Sequence, residues 1–194
     1  MSSVAARFEP KPKAVPRQPK RISLAEFLRH YSDKEDGYKY EWNNGMVEKT
    51  KTMNQQQLFL VAILNRLFNA TKTYKVGGLL ISEGDMNTTS SQLRKPDLAI
   101  YTAEQVKKMK KGENQIATWL AEVISPTDNA DKINEKLEEY FKAGVQVVWH
   151  IFPASQQVYV YTAPDKVTIC RGKTVCSGMP ALPDFEISAD DLFS

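Results

Sequence analysis

The stretch from Ala117 to Phe152, "ATWLAEVISPTDNADKINEKLEEYFKAGVQVVWHIF", decides the fold class. Its opening, "ATWLAEVIS", is apolar nearly throughout, and so is its close, "VQVVWHIF". Short runs that are apolar at successive positions read as strands covered on both faces. Between them, Pro126 and Thr127-Asp128 form a helix-start signal and Gly144 a helix-stop signal. At about 100° per residue, Ile133, Leu137, Tyr140 and Phe141 share one stripe of the intervening helix. Strand, helix and strand in this order predict a crossover within a mixed sheet, so the chain is of the α/β class.

The neighbouring segments extend that sheet. "QQVYVYT" and "KVTICR" read as an antiparallel hairpin. In "RKPDLAIY" the apolar part is led in by Pro96, tolerated at a strand's first residue because its missing N–H need not enter the ladder. "GGLLISEG" is a short strand between glycines, and "YKYEWNNGMVEKT" alternates around the hairpin dipeptide Asn44-Gly45. Leu58, Leu60, Val61, Leu64, Leu67 and Phe68, with Phe59 and Ile63 on another side, predict a helix from Gln55 to about Ala70. A helix apolar over so much of its circumference is expected to be buried centrally. "SLAEFLRHY" opens on Ser23 with Glu26 three residues later, a capping box.

The 194 residues suit one ordinary domain preceded by a tail. Residues 1–21 hold Pro10, Pro12, Pro16 and Pro19 and almost no apolar periodicity, which predicts a disordered arm. Arg7, Lys11, Lys13, Arg17, Lys20 and Arg21 stand there against Glu9 alone. The net charge of +3 is therefore an arm of +5 joined to residues 22–194, read as a single domain, of −2. The arm either grazes phosphates or is a solubilising tail. The overall basicity is thus poor evidence for a nucleic-acid partner.

Several classes of function drop out. No apolar run approaches the roughly 18 residues of a membrane span, and the first twenty residues lack a signal peptide's apolar centre. A cytoplasmic location is expected. Cys170 and Cys176 are expected to remain thiols, and His30 and His150 are too few for a histidine-rich metal site. Phosphate-loop, dinucleotide-binding, nucleophile-elbow and zinc-protease motifs are absent.

Four charged residues remain as candidates. Alternation puts Leu120, Glu122 and Ile124 on one strand face and Trp119, Ala121 and Val123 on the other. If both faces are covered, Glu122 is a desolvated acid that needs a partner or a cation; otherwise it faces solvent or makes a simple salt bridge. Asp97, at its strand's start, poses a milder version. Two acids at neighbouring strand ends suit a divalent cation. Lys136 falls beside the apolar stripe of its helix, so its ammonium either extends towards the sheet and the acids or pairs with Glu135 or Glu139. Glu41, between Tyr40 and Trp42, reads on its own as an exposed hairpin carboxylate.

In sequence, "YEWNNGMVE", the apolar helix, "RKPDLAIY", "LAEVISP", "DKINEKLEEYFKAGVQVVWHIF", "LPDF" and "DLF" resemble a bacterial restriction endonuclease-like family of the PD-(D/E)xK nuclease superfamily. The resemblance covers about residues 22–194 and implies a restriction endonuclease-like core, a mixed β-sheet flanked by helices. It aligns Pro96-Asp97 with the PD element and Glu122 with the second acid. Ile124 stands where the superfamily commonly has its lysine, and the resemblance points instead to Lys136, carried on the following helix. Glu41 resembles the family's upstream acid. Gln55, Gln56 and Gln57 occupy the helix start where the family often has a histidine.

What the resemblance implies is a DNA endonuclease. Asp97, Glu122 and the carbonyl of Val123 would hold Mg²⁺ or Mn²⁺, Lys136 would orient water or stabilise charge, and Glu41 would complete the metal shell or hold a metal-bound water. A dimer would suit an enzyme making two cuts. The alternatives are a catalytically silent module of the same fold that binds DNA or protein, and a domain whose acids serve only salt bridges.

Overall fold

The computed structural model describes residues 20–194. The proline-rich stretch 1–21 lies outside the described residues except for its last two. In chain order the elements are α1 (Leu24–His30), β1 (Tyr38–Asn43), β2 (Met46–Lys51), α2 (Gln55–Ala70), α3 (Lys72–Lys75), β3 (Leu79–Ser82), β4 (Met86–Thr89), β5 (Gln92–Arg94), β6 (Leu98–Tyr101) and α4 (Ala103–Met109). They continue with β7 (Trp119–Val123), α5 (Ala130–Ala143), β8 (Val147–Phe152), β9 (Gln157–Ala163), β10 (Lys166–Cys170), β11 (Val175–Gly178), β12 (Leu182–Ser188) and α6 (Ala189–Phe193).

The crossover forms as its sequence requires. β7 and β8 pair in parallel, with Glu122 opposite His150, and α5 connects them. Asn129, rather than Thr127 or Asp128, caps α5, its side chain accepting the Lys132 N–H. Asp128 instead accepts the Ser125 N–H and shapes the turn before the helix. Gly144 closes α5 at φ +109, where a side chain would be strained. The main sheet runs β10-β9-β8-β7-β6-β3, mixed because every other neighbouring pair is antiparallel.

Alternation sorts the sheet's two faces. Trp119, Ala121 and Val123 on β7 and Val147, Trp149 and Ile151 on β8 pack with Leu60, Leu64 and Phe68 of α2 and with Phe185 and Leu192. Trp119 meets Trp149 and Phe185 edge-on at 5.2 and 5.0 Å between ring centroids, contacts worth about 0.5–1.5 kcal/mol each beyond area burial. On the opposite face, Leu120 and Val148 pack with Leu137 and Tyr140 of α5 and Val106 of α4. Helices thus flank both faces, and Glu122 projects into the layer covered by α5.

α2 departs from the expectation of central burial. Only Leu60, Leu64 and Phe68 are buried, whereas Leu58 and Phe59 are 51% and 60% exposed. Its inner face alone finds the sheet, because no described element covers its outer side at the N-terminal end.

A second sheet, β2-β1-β5-β4, brings the remaining charged groups to the first. Its β1–β2 hairpin turns at Asn44 and Gly45, both with positive φ (+49 and +85), as the Asn-Gly pair requires. Tyr40 and Trp42 pack with Phe27 of α1 and Leu93. The alternate residues of β1, Lys39, Glu41 and Asn43, are turned away from that cluster and are all buried. From β5 the chain passes through Lys95, Pro96 and Asp97 into β6, so the PD dipeptide lies just before its strand and joins the two sheets.

Candidate metal and phosphodiester site

β1, the β6 entrance, the end of β7, α5 and β8 converge on one cavity of about 540 Å³. Lys39, Glu41, Asp97, Glu122, Lys136 and His150 all line it. All four side chains anticipated as site residues are therefore brought together, and Val123 lines the cavity as well.

Asp97 is held at both oxygens. Lys39 Nζ lies 2.6 Å from Oδ1, and the Val123 N–H donates to Oδ2 at 2.7 Å. The second bond uses the main chain beside Glu122, so it fixes the spacing of the two acids. Glu122 is buried, which excludes the solvent-facing alternative. Its Oε1 accepts the Tyr140 hydroxyl at 2.6 Å and faces Lys136 Nζ at 3.5 Å, whereas no described residue hydrogen-bonds to Oε2.

Lys136 reaches inward rather than pairing with Glu135 or Glu139. Its ammonium donates to Glu41 Oε1 at 2.9 Å. Glu41 is 1% exposed, so the reading of an exposed hairpin carboxylate is overturned. The hairpin is not free on this side: β5 pairs with β1, and α5 lies across the pleat face that Glu41 shares with Lys39. Glu41 Oε1 also accepts the Lys95 N–H at 3.0 Å, and Oε2 receives Arg94 Nη1 at 3.3 Å.

Arg94, Lys39, Tyr140 and His150 were not anticipated as site residues. Arg94 is almost wholly buried, with a bidentate bond to Glu139 of α5 and contacts to Glu41 and Glu48. It ties β1, β2 and β5 to the helix that carries Lys136. Lys39 stands two residues before Glu41, and that i, i+2 spacing within an alternating strand was a usable signal. His150 stands opposite Glu122 in the parallel register, again on the same face.

The electrostatics follow from this packing. Burial alone would raise the Glu41 carboxyl, but Lys136, Lys39 and Arg94 outweigh it and hold the group down at about 2. Burial likewise works against the Lys39 and Lys136 ammonium groups; the acids prevail and raise both, so both stay charged. Burial pushes the Tyr140 hydroxyl well up, and Glu122 and Glu41 add to it, which keeps the phenol a donor. Burial drives the His150 imidazole down to about 4, against the pull of Glu122, so the ring is neutral near pH 7. Its Nε2 is buried and has no hydrogen-bond partner among the described residues.

Asp97, Glu41 and Glu122 thus meet the ammonium groups of Lys39 and Lys136 in the cavity. Among the described residues no three His, Cys, Asp or Glu side chains are already arranged around a cation position. The donor chemistry nevertheless fits a hard divalent ion, which needs one or two carboxylates and takes its other ligands from water and phosphate. Glu122 Oε2 is without a described partner, and Asp97 Oδ1 is occupied by a cationic group, Lys39, that a metal ion could replace.

Among solved structures, a putative nuclease belonging to DUF820 from Anabaena variabilis superposes with a TM-score of 0.74. It is 18% identical in sequence, and the match covers 89% of this chain and 97% of that one. The fold is therefore restriction endonuclease-like, as the order of the motifs implied. No curated protein matches the sequence. No described helix is long and apolar enough to cross a membrane. The family model described as "Uma2: Putative restriction endonuclease" matches residues 24–190, from the start of α1 to the first turn of α6, and the chain belongs to that family.

Proposed function

We propose that the chain is a divalent-metal-dependent endonuclease that hydrolyses DNA phosphodiester bonds. The observation that carries this reading is the convergence of Asp97, Glu122, Lys136 and Glu41, from four separate stretches of the chain, on one cavity. Membership of a family described as "Putative restriction endonuclease" supports it. Asp97, Glu122 and the Val123 carbonyl would hold Mg²⁺ or Mn²⁺. Bound there, the ion supplies Lewis-acid activation of water and neutralises charge on the attacked phosphodiester.

The chain's own residues do the rest. Tyr140 holds Glu122 in place, and the Val123 N–H holds Asp97. Glu41 fixes Lys136, whose ammonium lies beside Glu122. From there Lys136 orients the attacking water and stabilises the negative charge that builds on the phosphorus oxygens. Lys49 and Lys51 also line the cavity on its exposed side, where they favour the approach of a polyanionic backbone, whereas Lys132 there is paired with Glu48.

Supercoiled plasmid and single-stranded DNA, incubated with Mg²⁺ or Mn²⁺, test the reading. Cleavage is expected, stopped by a chelator and abolished by Asp97→Asn, Glu122→Gln or Lys136→Met. DNA left intact by the wild-type protein with both ions across a range of pH would sink it. One observation favours a silent module of the same fold: both Asp97 oxygens already have protein partners. Such a module would bind no Mn²⁺ that is lost on Asp97→Asn or Glu122→Gln, which calorimetry reads directly.

A further inference from the structure

His150 has no part in the reading above, yet it is the least explained group in the cavity. It is 2% exposed, and its Nε2 is buried without a partner among the described residues. A buried nitrogen left unpaired carries its desolvation cost without compensation, so it calls for a ligand. Two aromatic side chains pack on the ring: Tyr161 lies 5.0 Å away between centroids and Phe152 6.5 Å. Those aromatics fix the ring's place and offer Nε2 no conventional hydrogen bond.

The position of that nitrogen matters. His150 is the parallel-register partner of Glu122, so the two side chains leave neighbouring strands on the same face. Glu122 uses only Oε1 for Tyr140 and Lys136. A carboxylate oxygen and an imidazole nitrogen are thus left without described partners, on register-paired residues that both line a single cavity. A carboxylate oxygen with an imidazole nitrogen suits a transition-metal ion, whereas Mg²⁺ prefers oxygen throughout.

We propose that His150 Nε2 and Glu122 together ligate the divalent ion, and that the imidazole makes the centre select Mn²⁺-class transition ions over Mg²⁺. This rests on the metal-dependent reading of the site. The remaining coordination positions belong to Asp97, the Val123 carbonyl, water and substrate oxygens, with Asp97 taking part once Lys39 releases Oδ1. His150 is a metal ligand by this inference, although α5 and the flanking strands hide it from bulk solvent.

The test uses the full chain with Mn²⁺ and no DNA. Pulsed electron paramagnetic resonance of bound Mn²⁺ is expected to show nitrogen-14 modulation from a coordinated imidazole. The modulation should vanish in His150→Leu and persist in His30→Gln, since His30 is the chain's other histidine and is exposed on α1. Calorimetry is expected to show Mn²⁺ binding at least about tenfold more tightly than Mg²⁺, a margin that His150→Leu removes. Should His150→Leu fail to fold, the wild-type and His30→Gln spectra alone decide. Mn²⁺ bound without nitrogen modulation, or modulation lost in His30→Gln, overturns the role of His150 and leaves the nuclease reading standing. If the wild-type protein binds neither Mn²⁺ nor Mg²⁺, the metal-dependent reading falls, and this inference falls with it.

Discussion

Lys39 and Asp97 form a buried ion pair, 2.6 Å between Nζ and Oδ1, that joins the small sheet to the entrance of the main one. Both side chains are at most 10% exposed, so each charge depends on the other for its solvation. The pair also places a cationic group at the acid proposed to take part in metal binding. Lys39 is in that sense an internal counter-ion.

Removing one partner should cost more than removing both. Lys39→Met leaves Asp97 buried with only the Val123 N–H, and a loss of about 3–5 kcal/mol is expected. Lys39→Met combined with Asp97→Asn replaces the pair with neutral groups, and the new side-chain amide keeps an acceptor for the Val123 N–H. Most of the loss should then be recovered. Urea unfolding of the wild type, both single variants and the double variant measures this coupling; additive losses would contradict it.

Arg94 makes a different prediction, because its geometry matters as much as its charge. Its guanidinium meets Glu139 through Nε and Nη2 while Nη1 serves Glu41 and Glu48. A lysine supplies one compact ammonium and cannot span all three acids. Arg94→Lys is therefore expected to lose about 2 kcal/mol or more in chemical denaturation, despite keeping its charge. A variant as stable as the wild type would show that the fork geometry is dispensable.

How much of this was legible in the sequence depends on distance along the chain. The N-terminal capping box of α1, the Asn44-Gly45 turn, the extent of α2 and the β7–α5–β8 crossover were all readable, because each is set by residues within a few positions of one another. The short strands β4, β5 and β11, of three or four residues each, carry too few for a period to register. Lys39 and Asp97 are 58 residues apart, and Arg94 and Glu139 are 45 apart, so nothing local announces either pair. Glu41 illustrates the same limit: whether a hairpin acid is exposed depends on α5, some ninety residues later. The exposed Leu58 and Phe59 show the converse, since an apolar wheel cannot say which of its sides meets a neighbour.

Tyr140 offers a way to disturb Glu122 without disturbing the core. Its ring is fully buried in the layer beneath α5, and its hydroxyl donates to Glu122 at 2.6 Å. Tyr140→Phe keeps the ring and removes one bond to a charged acceptor, which should cost about 1.5–3 kcal/mol of stability. Glu122 would then be held by Lys136 alone. On the metal-dependent reading, Mn²⁺ affinity and DNA cleavage should both fall while the fold is retained. Unchanged metal binding with the same stability loss would make Tyr140 purely structural.

The acid response of the metal-free protein follows from two groups in the same cavity. His150 refuses a proton until about pH 4 in the fold, whereas the unfolded imidazole accepts one near its ordinary 6.5. Between those values the unfolded chain binds the extra proton, so stability falls as pH drops, by about 3 kcal/mol in all. Glu41 is held at about 2 against an ordinary 4.5. Its contribution is complete above pH 4.5 and is lost as pH falls from there towards 2. Urea unfolding in chelator at half-unit steps from about pH 7.5 to about 3 should therefore show a loss of stability beginning near 6.5. His150→Leu should flatten the stretch between 6.5 and about 4 and leave the lower one intact. If the variant declines from 6.5 as steeply as the wild type, His150 is not the group that refuses the proton.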